Sequence, residues 1–136
     1  MVPTVWFKNK IQRWIIDEHS RYWNTLPGLR HSKLFINKVD NQLARKLRKS
    51  NKSNLRSVIQ IVTGHNSLNY FQHKLGNVLS PNCTQCEESE ETGYHFLCEC
   101  PKYAFIRLIA FGCPLITKNI ELHKISKFVR LTNRFL

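Results

Sequence analysis

Carboxylates are scarce in this chain: nine Asp and Glu stand against 21 Lys and Arg in 136 residues, for a formal net charge of +12. Five of the nine fall between residues 77 and 101, so that elsewhere only Asp17, Glu18, Asp40 and Glu121 remain. Those four, scattered along the chain, do not supply the gathered carboxylates that two-metal hydrolysis of nucleic acid needs. Also missing is any uninterrupted apolar stretch long enough to cross a bilayer. The start, Met1-Val2-Pro3-Thr4-Val5-Trp6, lacks the basic-then-apolar order of a secretory signal. The expectation is an intracellular chain, in nucleus or cytoplasm, with no membrane partner. Internal repeats and low-complexity linkers are absent too, which favours one compact unit.

Apolar material is sufficient for a core: 42% of the residues are hydrophobic, among them three Trp, four Tyr and eight Phe. The charge is distributed in blocks. Residues 1–76 carry 14 Lys and Arg against three acids, residues 77–101 none against five, and residues 102–136 seven against one. A strongly basic body favours a polyanionic partner, because each neutralised phosphate releases condensed counterions. The plainer alternative is a solvated basic face.

Hydrophobic periodicity predicts helices throughout. Phe7, Ile11, Trp14, Ile15 and Tyr22 recur at helical intervals until Pro27-Gly28, and core packing is the expected role of Trp14, Tyr22 and, further on, Phe71. Residues 29–37 read as a connector or an extended piece. Asp40 is an N-cap for a helix with Leu43, Ala44 and Leu47 inward and Arg45, Arg48, Lys49 and Lys52 as a basic stripe on the opposite face. Asn54 caps the next helix, with Leu55, Val58, Ile59 and Val62 inward and Gly64 as its stop; Ser67 starts another, with Leu68, Phe71 and Leu75 inward. Pro101 suits the first position of a helix closed by Gly112, and the last helix presents Leu122, Ile125, Phe128 and Val129. The predicted fold is mostly α: a small helical domain with an inserted CCHC zinc-binding loop, organised as a basic helical region (1–76), a zinc-binding segment (77–101) and C-terminal helices (102–136).

The stretch Asn82–Pro101, NCTQCEESEETGYHFLCECP, holds four of the five cysteines. Cys83, Cys86, His95 and Cys100 stand as C-x2-C-x8-H-x4-C. Two cysteines two residues apart bite an ion from one turn, and a second pair a short loop away completes a tetrahedron suited to one structural Zn2+. Cys98 competes with Cys100 for the fourth position. Cys100 is preferred because a helix beginning at Pro101 aims its positive end at that sulfur. Four protein ligands leave no open position for water, so the ion is structural. Glu87, Glu88, Glu90 and Glu91 read as a solvated face. Cys113 reads as a small buried hydrophobe, and His65, between a helix-stopping Gly and another cap, as a structural link between two helices.

Taken together, RHSKLFI, SVIQIVTGHNSLNYFQHKLG, the C-x2-C pair and EETGYHFLCECPKYAFIR resemble the C-terminal tail of jockey-like non-LTR retrotransposon polyproteins, which follows the reverse transcriptase and ribonuclease H domains. The resemblance spans nearly the whole chain. It implies zinc ligands at Cys83, Cys86, His95 and Cys100, and puts the family's Thr-Gly-His at Thr63, Gly64 and His65. The eight residues between Cys86 and His95 differ from the four of the retroviral-type knuckle, so properties of that knuckle do not transfer. The family's enzymes are not in this chain, which looks like a piece beginning after them.

The expected function is therefore a non-catalytic, zinc-stabilised nucleic-acid-binding tail. Phosphate contacts to RNA or DNA fall to Arg45, Arg48, Lys49 and Lys52, helped by Lys124, Lys127 and Arg130, with little sequence preference. The alternative is a protein-interaction or scaffolding module that packs on the upstream ribonuclease H or reverse transcriptase domain.

Overall fold

The computed structural model describes residues 4–117 and 120–134; Met1 to Pro3, considered above for a signal sequence, lie outside the described residues. Among the described residues seven α-helices follow in order: α1 (Thr4–Thr25), α2 (Arg30–Lys33), α3 (Asn41–Arg48), α4 (Lys52–Thr63), α5 (Asn69–Lys74), α6 (Ala104–Phe111) and α7 (Ile125–Thr132). A π-helical turn, His95–Glu99, and 3-10 turns at Pro101–Tyr103 and Leu122–Lys124 complete the helical part. Among the described residues there is no strand, and the one isolated bridge joins Asn82 to Glu90. The molecule is the mostly α, small helical domain that the periodicity predicts.

Helix α7 lies at the centre. It packs on both α4 and α6, and Ile125 and Phe128 on it have no exposed surface. Phe128 meets Phe96 and Tyr103 edge-on, with ring centroids 5.1 and 6.1 Å away. Leu122, Ile125, Phe128 and Val129 are all buried, as their spacing requires. Gly64 and Gly112 close α4 and α6 at φ of 78° and 84°, in the left-handed region that glycine enters without a Cβ clash. Asp40 caps α3, its carboxylate accepting from the N–H groups of Gln42 and Leu43 at 2.9 Å.

Several expectations are corrected. Residues 30–33 are helical, not extended, and place Phe35 in the core. The N-cap of α4 is Asn51, whose side chain accepts from the Asn54 N–H at 2.8 Å, so Asn54 is the recipient of a cap, not its source. That break at Ser50-Asn51 puts Lys52 on α4, off the helix that carries Arg45 and Arg48, with Lys49 as its C-cap. On α4 the buried face is Val58, Ile61 and Val62, whereas Ile59 is exposed. Helix α5 starts at Asn69, later than Ser67, and Leu75 beyond it is exposed.

The largest correction concerns α1. None of its residues is buried, and Trp14 and Tyr22 are each 63% exposed. The helix is held at its C-terminal end, where Trp23 Nε1 donates to the Ile36 carbonyl at 3.0 Å and Lys33 Nζ donates to the Leu26 carbonyl at 2.7 Å. An amphipathic period specifies a face that needs cover and says nothing of what covers it. Phe71, the third aromatic assigned to the core, is half-buried.

Candidate metal centre

Cys83 and Cys86 come from the turn after Pro81. Cys83 is pinned on both sides of its peptide: its N–H donates to the Ser89 carbonyl, and its carbonyl accepts from the Glu87 N–H, each at 2.8 Å. Glu87 adopts φ of 60° to close that turn. The backbone amides of Glu88 and Ser89 approach the Cys86 sulfur. Burial works against ionisation of Cys86, but these amides together with the neighbouring Cys83 and Cys100 thiols outweigh it and hold the thiol below its ordinary value.

The other two candidate ligands, His95 and Cys100, come from the π-helical turn and the residue after it. In an α-helix, positions five apart point to different sides; a π turn widens the coil so that they stack. The Cys100 N–H donates to the His95 carbonyl at 2.8 Å, the five-residue bond that defines the turn, and this superposes His95 on Cys100. The H-x4-C spacing is therefore a π spacing. Cys98, three residues after His95, faces elsewhere, among Arg107 and Cys113. The backbone at Pro101 opens as a 3-10 turn, shorter than the expected α-helical start, and the Lys102 amide still approaches the Cys100 sulfur.

The ligand atoms of Cys83, Cys86, His95 and Cys100 lie within 4.8 Å of one another, and three of the four residues are buried. Cys83 Sγ is 3.9 Å from Cys100 Sγ, and Cys86 Sγ is 3.3 Å from His95 Nε2. A tetrahedral ion with metal–sulfur bonds of about 2.3 Å has sulfur–sulfur edges of about 3.8 Å. The group can thus hold one metal ion with little rearrangement. His95 Nε2 faces the sulfurs, and Nδ1 faces the Glu99 carboxylate at 3.7 Å, the orientation in which an acid supports a ligating imidazole from behind.

Burial pushes the Cys100 thiol up to about 12, against the Lys102 amide, which favours the thiolate. It likewise pushes Cys98 up to about 12, against the opposing pull of Arg107. Arg107 is 1% exposed and forms no ion pair with a carboxylate among the described residues. Its Nε donates to the Pro114 carbonyl at 2.6 Å and one terminal nitrogen to the Cys100 carbonyl at 2.7 Å, while the other terminal nitrogen is unpartnered. A buried guanidinium needs a nearby negative charge. Three thiolates and a neutral imidazole around a divalent ion leave one net negative charge, at the place where Arg107 lacks one.

Glu91 corrects the solvated-face expectation for the glutamate run: it has no exposed surface, whereas Glu87, Glu88 and Glu90 are exposed. Its carboxylate accepts from the Asn69 N–H at 2.8 Å, pairs with Arg134, and lies 4.0 Å from Cys83 Sγ. It buttresses the metal segment against α5 and the end of the chain. Neither Arg107 nor Glu91 was singled out from sequence. The signal for Arg107 is its solitary charge inside the apolar run AFIRLIAF; nothing in EESEE distinguishes Glu91 from its neighbours.

The basic residues assigned to phosphate are placed as follows. Arg45, Arg48, Lys49 and Lys52 are exposed on α3, its C-cap and the start of α4. Lys124 is half-buried and paired with Glu121 at 2.7 Å; Lys127 donates to the Ile109 carbonyl at 3.0 Å; Arg130 is exposed on α7. Helix α3 packs on the Leu122–Lys124 turn, so the two basic groups sit on adjoining elements. His65 is exposed, its ring edge-on to Phe71 at 4.9 Å. Cys113 is half-buried against the core. Among the described residues no helix is long and apolar enough to cross a membrane.

Parts of the chain are similar to known proteins. The Retrovirus-related Pol polyprotein from type-1 retrotransposable element R1 of Bradysia coprophila is 41% identical over 59 residues, which are 43% of this chain and 6% of that protein. The corresponding R1 2 polyprotein of Nasonia vitripennis is 42% identical over 52 residues, 38% of this chain and 12% of that protein. The chain therefore matches only a small part of the length of either relative. No protein-family model and no solved structure matches it. These partial similarities support a retrotransposon-related origin for a chain that carries a Cys3His cluster able to hold a metal ion.

Proposed function

We propose that the chain is a non-catalytic nucleic-acid-binding tail of a retrotransposon reverse transcriptase polyprotein, or a fragment derived from one, stapled by a structural Zn2+ on Cys83, Cys86, His95 and Cys100. The observation that carries the reading is the segregation of charge around the metal segment. The acids cluster in that segment, while Arg45, Arg48 and Lys49 stand exposed on and beside α3 and enter no ion pair among the described residues. Zinc fits the donor set because thiolate and imidazole in a closed tetrahedron suit it. The similarity to Pol polyproteins supports nucleic acid as the polyanion. Such a tail would hold template RNA or target DNA through phosphates.

One sample tests both halves. Elemental analysis of protein purified without added metal is expected to give one equivalent of zinc. Binding of single-stranded RNA is expected to weaken steeply with salt, and neutralising Arg45, Arg48 and Lys49 together is expected to flatten that slope. Unchanged binding of the triple variant at every salt concentration removes α3 as the phosphate surface.

The exposed apolar face of α1 favours a second reading, a module that docks on the reverse transcriptase or ribonuclease H domain. Association with those domains that is insensitive to salt and lost with Trp14→Ala would support it over phosphate binding.

A further inference from the structure

A groove of about 670 Å³ opens between α2, the turn joining α4 to α5, and the stretch from Glu90 to Tyr94. Three stretches that are far apart in sequence meet there: Arg30-His31, Thr63-Gly64-His65 and Glu91-Thr92-Gly93. His31 holds them together. Its Nε2 donates to the Ile61 carbonyl at 2.8 Å, and its ring lies against two glycines. A Cβ on Gly64 would come within 3.1 Å of that ring, and one on Gly93 within 3.0 Å of both the ring and the Ile61 carbonyl. The floor of the groove is thus fixed by packing.

Its rim carries different chemistry. Arg30 and Lys74 are exposed, and Lys74 Nζ lies 4.4 Å over the ring of half-buried Tyr70. His65 presents an exposed ring beside them. Of the two lining carboxylates, Glu91 is buried and paired with Arg134, which leaves Glu90 exposed at one edge. Cations flanking aromatic rings in a groove wide enough for a nucleotide are the elements of a stacking platform with phosphate contacts beside it.

We propose that this groove takes the unpaired bases of a single-stranded nucleic acid. Tyr70 and His65 stack on bases, Arg30 and Lys74 take the flanking phosphates, and the Glu90 carboxylate accepts from an N–H on a base edge, such as N3–H of uracil or thymine. The proposal rests on the nucleic-acid reading above and adds to it a second surface, separate from α3, that responds to bases and not to phosphates alone. A duplex, whose bases are already stacked, does not enter. When a base arrives, Lys74 leaves the Tyr70 face for the adjoining phosphate, so that the cation and the ring are both satisfied.

The test is fluorescence anisotropy of the full, zinc-loaded chain with labelled decauridylate, an oligo(dT) of equal length, and an abasic strand of equal length. Tyr70→Ala is expected to weaken the base-bearing strands about tenfold while leaving the abasic strand unchanged, and Tyr70→Trp to restore binding. Arg30→Ala and Lys74→Ala, at exposed sites that do not contribute to the core, are each expected to lower the salt slope by about 0.7. They carry the test even if Tyr70→Ala lowers the helical content or the bound zinc. Equal losses for decauridylate and oligo(dT) assign the groove to any single strand, and a larger loss for decauridylate assigns it to RNA. If the parent binds both strands and all groove variants match it, while the α3 triple variant loses affinity, the groove is overturned and the general reading stands. If the parent binds neither strand, both fall. Competition by polyglutamate as strong as that by decauridylate would assign the groove to an acidic protein and overturn the proposal.

Discussion

Arg107 is the largest fully buried side chain among the described residues. Its guanidinium ties the carbonyl of Cys100, a member of the Cys3His cluster, to the Pro114 carbonyl. Arg107→Ala is expected to cost about 3–5 kcal/mol, because it leaves a cavity and two carbonyls without donors. Arg107→Lys keeps the charge but loses the fork that spans both carbonyls, and should recover only part of the loss. Chemical denaturation of the zinc-loaded variants measures both, and zinc retention against a competing chelator should fall in the same order. Gly93 is a second residue whose identity the packing dictates. Gly93→Ala meets the Ile61 carbonyl, a backbone atom that cannot swing away, and is expected to cost about 1–3 kcal/mol. His31→Ala in the same chain should relieve only part of this, since the carbonyl remains.

Helices differ in how much of their role could be read in advance. The cap at Asp40 and the glycine stops at Gly64 and Gly112 were legible because they depend on local backbone chemistry. The C-x2-C pair was legible for the same reason, and the H-x4-C spacing picked out two residues that the fold gathers with that pair within 4.8 Å, although the π turn that brings them together was not foreseen. What escaped was non-local: Ile61 displacing Ile59 from the core, the burial of Glu91, and the solvent-facing stripe of α1. Each depends on which element stands opposite, which a single stretch of sequence does not encode. The exposure of α1 has a direct test. Deleting residues through Thr25 removes no buried side chain among the described residues, so the remaining chain is expected to bind zinc as the parent does and to shift its melting midpoint by no more than about 4–8 °C, the equivalent of about 1 kcal/mol in a domain this small. A collapse of the fold would show that α1 is integral to it.

At the scale of the whole molecule, the metal segment lies between the helices that come before and after it in sequence. Phe96 and Leu97, on the same π-helical turn as His95, have no exposed surface, and Phe96 meets Phe128 of the central helix. Loss of an ion held by the cluster would therefore loosen a turn from which core side chains project. Structural zinc contributes on the order of 10 kcal/mol in small domains, comparable with a domain's entire net stability. Chelation, Cys83→Ser and His95→Ala are accordingly expected to abolish the cooperative thermal transition, which circular dichroism would follow. Retention of a sharp transition without metal would show that the apolar core suffices.

The pairing of Arg134 with Glu91 gives this coupling an outward sign. The carboxylate beside Cys83 holds Arg134, just past α7, so the segment ending there is tethered to the loop that carries the Cys3His cluster. Trypsin, which cuts after arginine, would read the state of that tether. Cleavage after Arg130 and Arg134 is expected to be slow in the zinc-loaded protein and rapid after chelation, and mass spectrometry of the early fragments would record the change.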